Sequence, residues 1–196
     1  MTADQRRQQI AHAATRLFAK HGFSGVTTRQ IAKAAKVNEA LLYKHFPNKE
    51  AIYTEIIERK LADQGVILDP SRLEGEDDAG VIGYIVSTLM DRMGEDRYFM
   101  RLMLFSGLED HRLSTAFLEQ RIGEVLPLIA KYFARRMAAG AFRRIDPRIA
   151  VRALVGMVLH YLLTLEIFEL PPAMHVSKEE AIEGFGKIFL EGVRAR

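Results

Sequence analysis

The chain has 196 residues, 48% of them hydrophobic, a net charge of +3 and no cysteine. That length buries a substantial core in one or two domains, and the lack of cysteine excludes disulfides and thiolate metal sites and fits a reducing compartment. The opening MTADQRRQQI is polar and charged, unlike a secretory signal, and the longest apolar stretch, Leu154 to Leu165, is about a dozen residues against the roughly 20 of a membrane span. An ordered, cytoplasmic protein without a membrane partner is expected.

The first predicted helix carries Ile10, Ala13, Ala14, Leu17, Phe18 and His21 at i, i+3, i+4 spacing, with Gly22 as a left-handed cap. Arg6, Arg7, Arg16 and Lys20 lie largely off that stripe. Residues 27–46 then read as two short helices joined by a tight turn. Thr27 or Thr28 caps the first, whose inward positions are Ile31, Ala34 and Ala35; Val37, Leu42 and Phe46 form the inward side of the second. Arg29, Gln30, Asn38, Glu39, Lys44 and His45 are left facing outward. A helix-turn-helix offers its second helix to the DNA major groove in this way, N-terminal residues at base edges and flanks on phosphates. Asn38, Glu39, Ala40 and Leu41 are the candidate base readers, Leu41 suited to a thymine methyl and Asn38 able to cap the helix instead. Thr27, Tyr43, Lys44, His45 and Lys49 are the candidate backbone contacts, and Thr28, Arg29 and Gln30 are further candidate DNA-binding residues. Pro47 ends the second short helix, and Asn48 caps a fourth running to about Gln64.

From Arg6 to Ile57 the chain resembles the N-terminal domain of the TetR family of transcriptional regulators. The match is carried by Ile10, Ala13, Leu17, Phe18 and Gly22-Phe23, then Thr27-Thr28, Ile31-Ala32, Ala35 and Val37, then Leu42-Tyr43, His45-Phe46 and Lys49-Glu50. The resemblance implies phosphate contacts for Tyr43 and Lys49. One departure stands out: Lys36 occupies the turn position where the family commonly has glycine, which predicts a positive φ there. Charge agrees with the motif. Residues 1–60 contain 11 Lys+Arg and 5 Asp+Glu, a balance of +6, whereas residues 61–196 contain 17 and 20, a balance of −3. A basic domain on a mildly acidic remainder suits duplex DNA, because cations that neutralise phosphates release condensed counterions.

Gly65 to Gly80, with Pro70, Gly75 and an acidic run, reads as the boundary between a DNA-binding domain, residues 1–64, and a second domain, residues 65–196. Helices follow at about 78–93, 95–106, 112–139, 147–169 and 178–194, two with strong start signals: Asp146-Pro147 and the capping box Ser177 to Glu180. Pro127 should kink the longest. No alternating strand is seen, so the fold class is all-α.

The helix from Ala150 to Phe168 is apolar over most of its circumference, with Ala153, Gly156, Met157, His160, Tyr161 and Thr164 on a partly small-residue face, and the final helix offers Ile182, Phe185 and Phe189. Such helices need cover on nearly every side, which a second copy of the chain supplies; the resemblance likewise implies a four-helix homodimer bundle. Between, Met90, Met93, Phe99, Met103, Phe117 and Tyr132 give the density of aromatics and flexible thioethers that suits an adaptable apolar cavity. The resemblance implies an effector there.

Enzyme chemistry finds little support. There is no phosphate-cradling glycine motif, no His pair at i, i+4 and no cysteine nucleophile; His160 reads as a core or interface side chain, and Glu109-Asp110-His111 as a solvated loop. No cofactor or metal is expected. The expectation is a homodimeric regulator of near-palindromic double-stranded operator DNA, a repressor relieved by a small apolar or amphipathic ligand. The alternative is a TetR-like protein without an effector, acting through a protein partner or architecturally.

Overall fold

The computed structural model describes the chain except residues 64–67, 76, 110–111, 169–170, 172–174 and 196, and except the side chains of 61, 63, 112–118, 120 and 121. The described residues form α1 (Ala3–His21), α2 (Thr28–Ala34), α3 (Glu39–His45), α4 (Lys49–Asp63), α5 (Asp78–Gly94), α6 (Arg97–Leu108), α7 (Arg112–Ala138), α8 (Pro147–Glu166) and α9 (Lys178–Val193), with a single 3₁₀ turn at Pro70–Leu73. No strand occurs among them beyond an isolated bridge, Phe142 to Arg194. Two compact units result, one of Met1–Gly65 with Asp96–Gln120, the other of Val66–Glu95 with Arg121–Arg196.

The first unit is organised by α1, which packs on α2, α4 and α6. Its core joins Ile10, Ala14 and Phe18 to Ile31, Leu42, Phe46, Ile52 and Tyr53, and takes in Phe99 and Leu102 from α6. Phe18, Phe23 and Tyr53 form an aromatic trio with centroids 5.4 to 5.6 Å apart, spacings at which tilted and edge-on rings attract. The Tyr53 hydroxyl meets that of Ser106, both buried. Two positions differ from the sequence reading. Ala32, not Ala34, is buried on α2, because α1 lies across this helix and widens its covered stripe beyond the Ile31–Ala35 line. His21 is exposed, its last-turn position favouring a solvated imidazole near the carbonyl end. Gly22 has the positive φ of its capping role, 71°, but ψ 172° takes it out of the left-handed helical region into one open essentially to glycine.

The second unit is built on α5, which packs on both α8 and α9. Ile82, Ile85 and Val86 of α5 and Leu154, Val158 and Leu162 of α8 are all buried where these helices pack, while Phe133, Phe142 and Phe189 cluster with centroids 5.4 to 6.1 Å apart. At the start of α5, Asp78 accepts from Arg136 (2.7 and 2.9 Å) and from the Tyr132 hydroxyl (2.6 Å). Burial raises the Asp78 carboxyl, and those hydrogen bonds outweigh it, so its pKa lies below the ordinary value; burial and then the Asp78 bond push the Tyr132 phenol up. Arg135 donates to the carbonyls of Leu73, Glu74 and Gly75, fastening the segment after the 3₁₀ turn. The helix α7 continues through Pro127. The helix α8 is longer than its apolar stretch in the sequence: its 20 residues include His160, and by length and composition it is apolar enough to cross a bilayer. Here its inner face, Ala150 to Leu162, fills the core of this unit.

Candidate nucleic-acid interface and effector cavity

The reading unit is assembled by local hydrogen bonds that the sequence encodes. Thr27 opens α2 with a capping box: its hydroxyl accepts from the Gln30 amide (3.2 Å), and Gln30 Oε1 accepts from the Thr27 amide (2.7 Å). α2 ends in a Schellman motif, with the Val37 amide on Ala32 O (2.9 Å) and the Lys36 amide on Lys33 O (3.1 Å). That closure requires a left-handed residue between them, and Lys36 has φ 55°, the sole described non-glycine residue with positive φ. Asn38 Oδ1 then accepts from the Leu41 amide at 2.7 Å and starts α3. The carboxamide oxygen of Asn38 is thereby committed to the cap, leaving its NH₂ to face outward.

Arg29, Gln30, Lys36, Asn38, Glu39, Ala40, Tyr43 and Lys44 form one exposed surface. Leu41 is half-buried at its edge, and His45 is half-buried with its carbonyl taken by Arg7 Nη1 (2.8 Å). The Tyr43 hydroxyl, 3.0 Å from that of Thr28, is held upright between the two helices although the ring is 49% exposed. Arg29 and Glu39 approach to 3.9 Å in full solvent, too loose a pair to fix either side chain.

Lys49 stands apart from this face. Its ammonium donates to Phe23 O (2.8 Å) and Val26 O (2.9 Å) and lies 4.2 Å from the Phe23 ring centroid, so it clamps the α1–α2 turn. Glu109, exposed in the turn after α6 as the solvated-loop reading expects, also accepts from the Phe23 amide at 2.8 Å and so anchors the α1–α2 turn; Asp110 and His111 lie outside the described residues. The role of Arg7 was not legible in the local pattern. Arg7 bonds Glu55, stacks 4.4 Å over the Phe46 ring and ties α1 to the end of α3. Burial raises the Glu55 carboxyl, but hydrogen bonds from Arg7 and Arg59 prevail and its pKa falls below the ordinary value.

The residues expected to line one apolar cavity are dispersed. Phe99 is buried in the first unit's core, with Met103 packed against it, because the apolar face of α6 is used up on α1. Met90 and Tyr132 belong to the second unit, Tyr132 inside the aromatic cluster; Met93 is half-buried on α5; the Phe117 side chain lies outside the described residues. The second unit instead holds a pocket of about 1160 Å³ lined from α5, α8, Lys178 and the Asp69–Pro70 turn, to which Met90 contributes.

On α8, Ala153, Gly156 and His160 are exposed and Met157, Tyr161 and Thr164 half-buried. Ile182 and Phe185 are half-buried on α9, Phe185 edge-on to Tyr161 at 5.9 Å. Phe189 is a correction: it is 5% exposed and stacked on Phe133, one position too far round α9 to reach a partner. The exposed apolar residues the periodicity missed are Ile149, Leu159 and Ile188, at 62%, 36% and 62%.

Comparison with known proteins agrees with this geometry. The sequence profile of bacterial regulatory proteins of the tetR family matches residues 10–56, and that of the C-terminal domain of AefR-like transcriptional repressors matches residues 85–191. The transcriptional repressor NicS of Pseudomonas putida is 26% identical over 143 residues, 72% of this chain and 68% of that protein. The transcriptional regulator RutR of Escherichia coli K12 is 27% identical over 201 residues, 97% of this chain and 92% of that protein. AibR, crystallised with isovaleryl coenzyme A and operator DNA, shares the fold with a TM-score of 0.68 at 21% identity, over 93% of this chain and 97% of its own.

Proposed function

The chain belongs to the TetR family of bacterial regulatory proteins, DNA-binding regulators of transcription, and from that premise we propose that it binds a near-palindromic operator as a homodimer and represses until a small apolar or amphipathic ligand releases it. The observation that carries the DNA reading is the outward face of α3, where a capped N-terminus, the upright Tyr43 and the free Lys44 are exposed together. In this reading the N-terminal turn of α3 meets base edges, and Tyr43, Lys44 and Thr28 meet phosphates, which position the protein without specifying sequence.

Homodimerisation is supported by the outer faces of α8 and α9. Ile149, Ala153, Gly156, Leu159 and His160 with Ile188 form an exposed, largely apolar surface, and nothing lies within 4 Å of where a Gly156 Cβ would stand. A dimer that reads a near-palindrome places its two α3 helices in successive major grooves, about 34–36 Å apart. Release by ligand follows if the ligand binds the DNA-incompetent form more tightly, with a typical coupling of about 1–3 kcal/mol, a fivefold to 150-fold loss of operator affinity. The test is selection of binding sites from random duplex DNA by the full chain, followed by sedimentation of the complex. Enrichment of an inverted repeat with half-sites one helical turn apart, bound by dimers, is expected. Recovery of no repeat, or binding by monomers, overturns the reading.

A further inference from the structure

The pocket of the second unit carries more negative than positive charge. Asp91 and Lys178 neutralise each other in an ion pair. Of the remaining ionised lining groups, Asp69, Glu95 and Glu166 are acidic and Arg92 alone is basic, a balance of −2. Asp69 is occupied in capping its own turn, accepting from the Ser71 amide (2.9 Å) and hydroxyl (2.8 Å). Glu95 and Glu166 make no ion pair among the described residues. Met90 and Leu162, both buried, and Leu165 supply an apolar wall, and two tyrosines complete it.

Those rings suit a cation. The face of Tyr84 already holds a guanidinium, that of Arg72, 4.1 Å from the ring centroid. At Tyr161, burial and then the charges of Glu179 and Glu166 push the phenol up against the opposing Lys178, a sign of the negative potential on that wall. A carboxylate or phosphate of a ligand would meet like charge here, offset only by Arg92 in the lining and by Arg72, which is taken up on Tyr84 and beside Asp69, whereas a positive head group meets two carboxylates that make no ion pair among the described residues.

We propose that the releasing ligand is an amphipathic organic cation, its apolar body against Met90, Leu162 and Leu165 and its head toward Glu95, Glu166 and the Tyr161 ring. This rests on the ligand-relieved reading above and names the chemistry of its site. The test uses three probes sharing one chain: dodecyltrimethylammonium, dodecanol and dodecanoate, each below its micellar concentration, titrated calorimetrically into the full-length protein with and without its selected operator. The ammonium should bind at least tenfold more tightly than the alcohol and the carboxylate most weakly. Glu95→Gln with Glu166→Gln, neutralising two side chains that make no ion pair among the described residues, should weaken the ammonium on the order of tenfold and leave the alcohol unchanged; unaltered operator affinity of the unliganded variant reports its fold. A tighter carboxylate, or an ammonium indifferent to the double substitution, overturns the proposal. If the ammonium binds as expected yet leaves operator affinity unchanged, the charge assignment stands and ligand-driven release fails. If the carboxylate releases operator and the ammonium does not, release stands and the cation assignment fails.

Discussion

Lys36→Gly should stabilise the protein, an unusual direction for a substitution by glycine. The Schellman closure, two hydrogen bonds from the Lys36 and Val37 amides, demands a left-handed residue, and Lys36 sits there at φ 55°. A β-carbon in that region costs roughly 1–2 kcal/mol from its approach to the following carbonyl. Glycine removes that cost but gives the unfolded chain more freedom, a loss of roughly 0.5–1 kcal/mol. The difference favours glycine by about 0.5–1 kcal/mol, or about 1–4 °C in melting temperature for a chain of this size. The measurement is thermal and urea unfolding at one fixed protomer concentration, since a dimer's stability depends on it. Lys36→Ala is the control: it keeps the β-carbon and its strain while removing the charge. If both variants lose stability equally, or glycine gains nothing over alanine, the strain argument is wrong. Loss of operator affinity by both, with a salt slope shallower by about one, would explain the lysine as a phosphate contact.

Helix starts were legible because each was written as a local hydrogen bond: Thr27, Asn38, Asn48, Asp146 and Ser177 all cap as their side-chain chemistry predicts. The strained turn was legible only through the resemblance, which puts Lys36 where TetR-like proteins commonly have glycine. Groupings between distant segments were not. Local periodicity shows that α6 has an apolar face, but not that the face would be spent on α1, which drew Phe99 and Met103 away from the expected cavity. On α9, Phe185 and Phe189 read alike as members of one stripe, and only the position of Phe133 decides that Phe189 is core. Lys49 has a structural role that was not legible either. A lysine at a helix start next to a DNA-reading motif suggests a phosphate, and nothing local shows that its ammonium also reaches the Phe23 and Val26 carbonyls, since no sequence pattern reveals an acceptor 23 residues away.

Lys49→Ala should therefore cost about 1–3 kcal/mol of stability by taking the ammonium donor from the Val26 carbonyl and leaving the Phe23 carbonyl only the long bond from the Val26 amide (3.4 Å); a full-strength fold with a salt slope reduced by one would favour the phosphate assignment. Phe189→Ala should lose about 3–5 kcal/mol through a cavity beside Phe133 yet leave the protein dimeric, and a monomer would return Phe189 to the interface. Gly156→Glu, placed in open space, should instead yield folded monomers with weak half-site binding, and a sedimenting dimer would refute the α8 surface. The last expectation concerns acid. The folded pKa of Glu55 is depressed below 4.5, so its contribution is complete above that value and is lost as pH falls through the folded pKa. Glu55→Gln should accordingly be less stable than the parent by about 1–3 kcal/mol at pH 7, with the two converging in urea titrations as pH drops toward 3; a gap of constant size across that range would show that the Arg7 and Arg59 bonds to Glu55 do not hold α1 to α4.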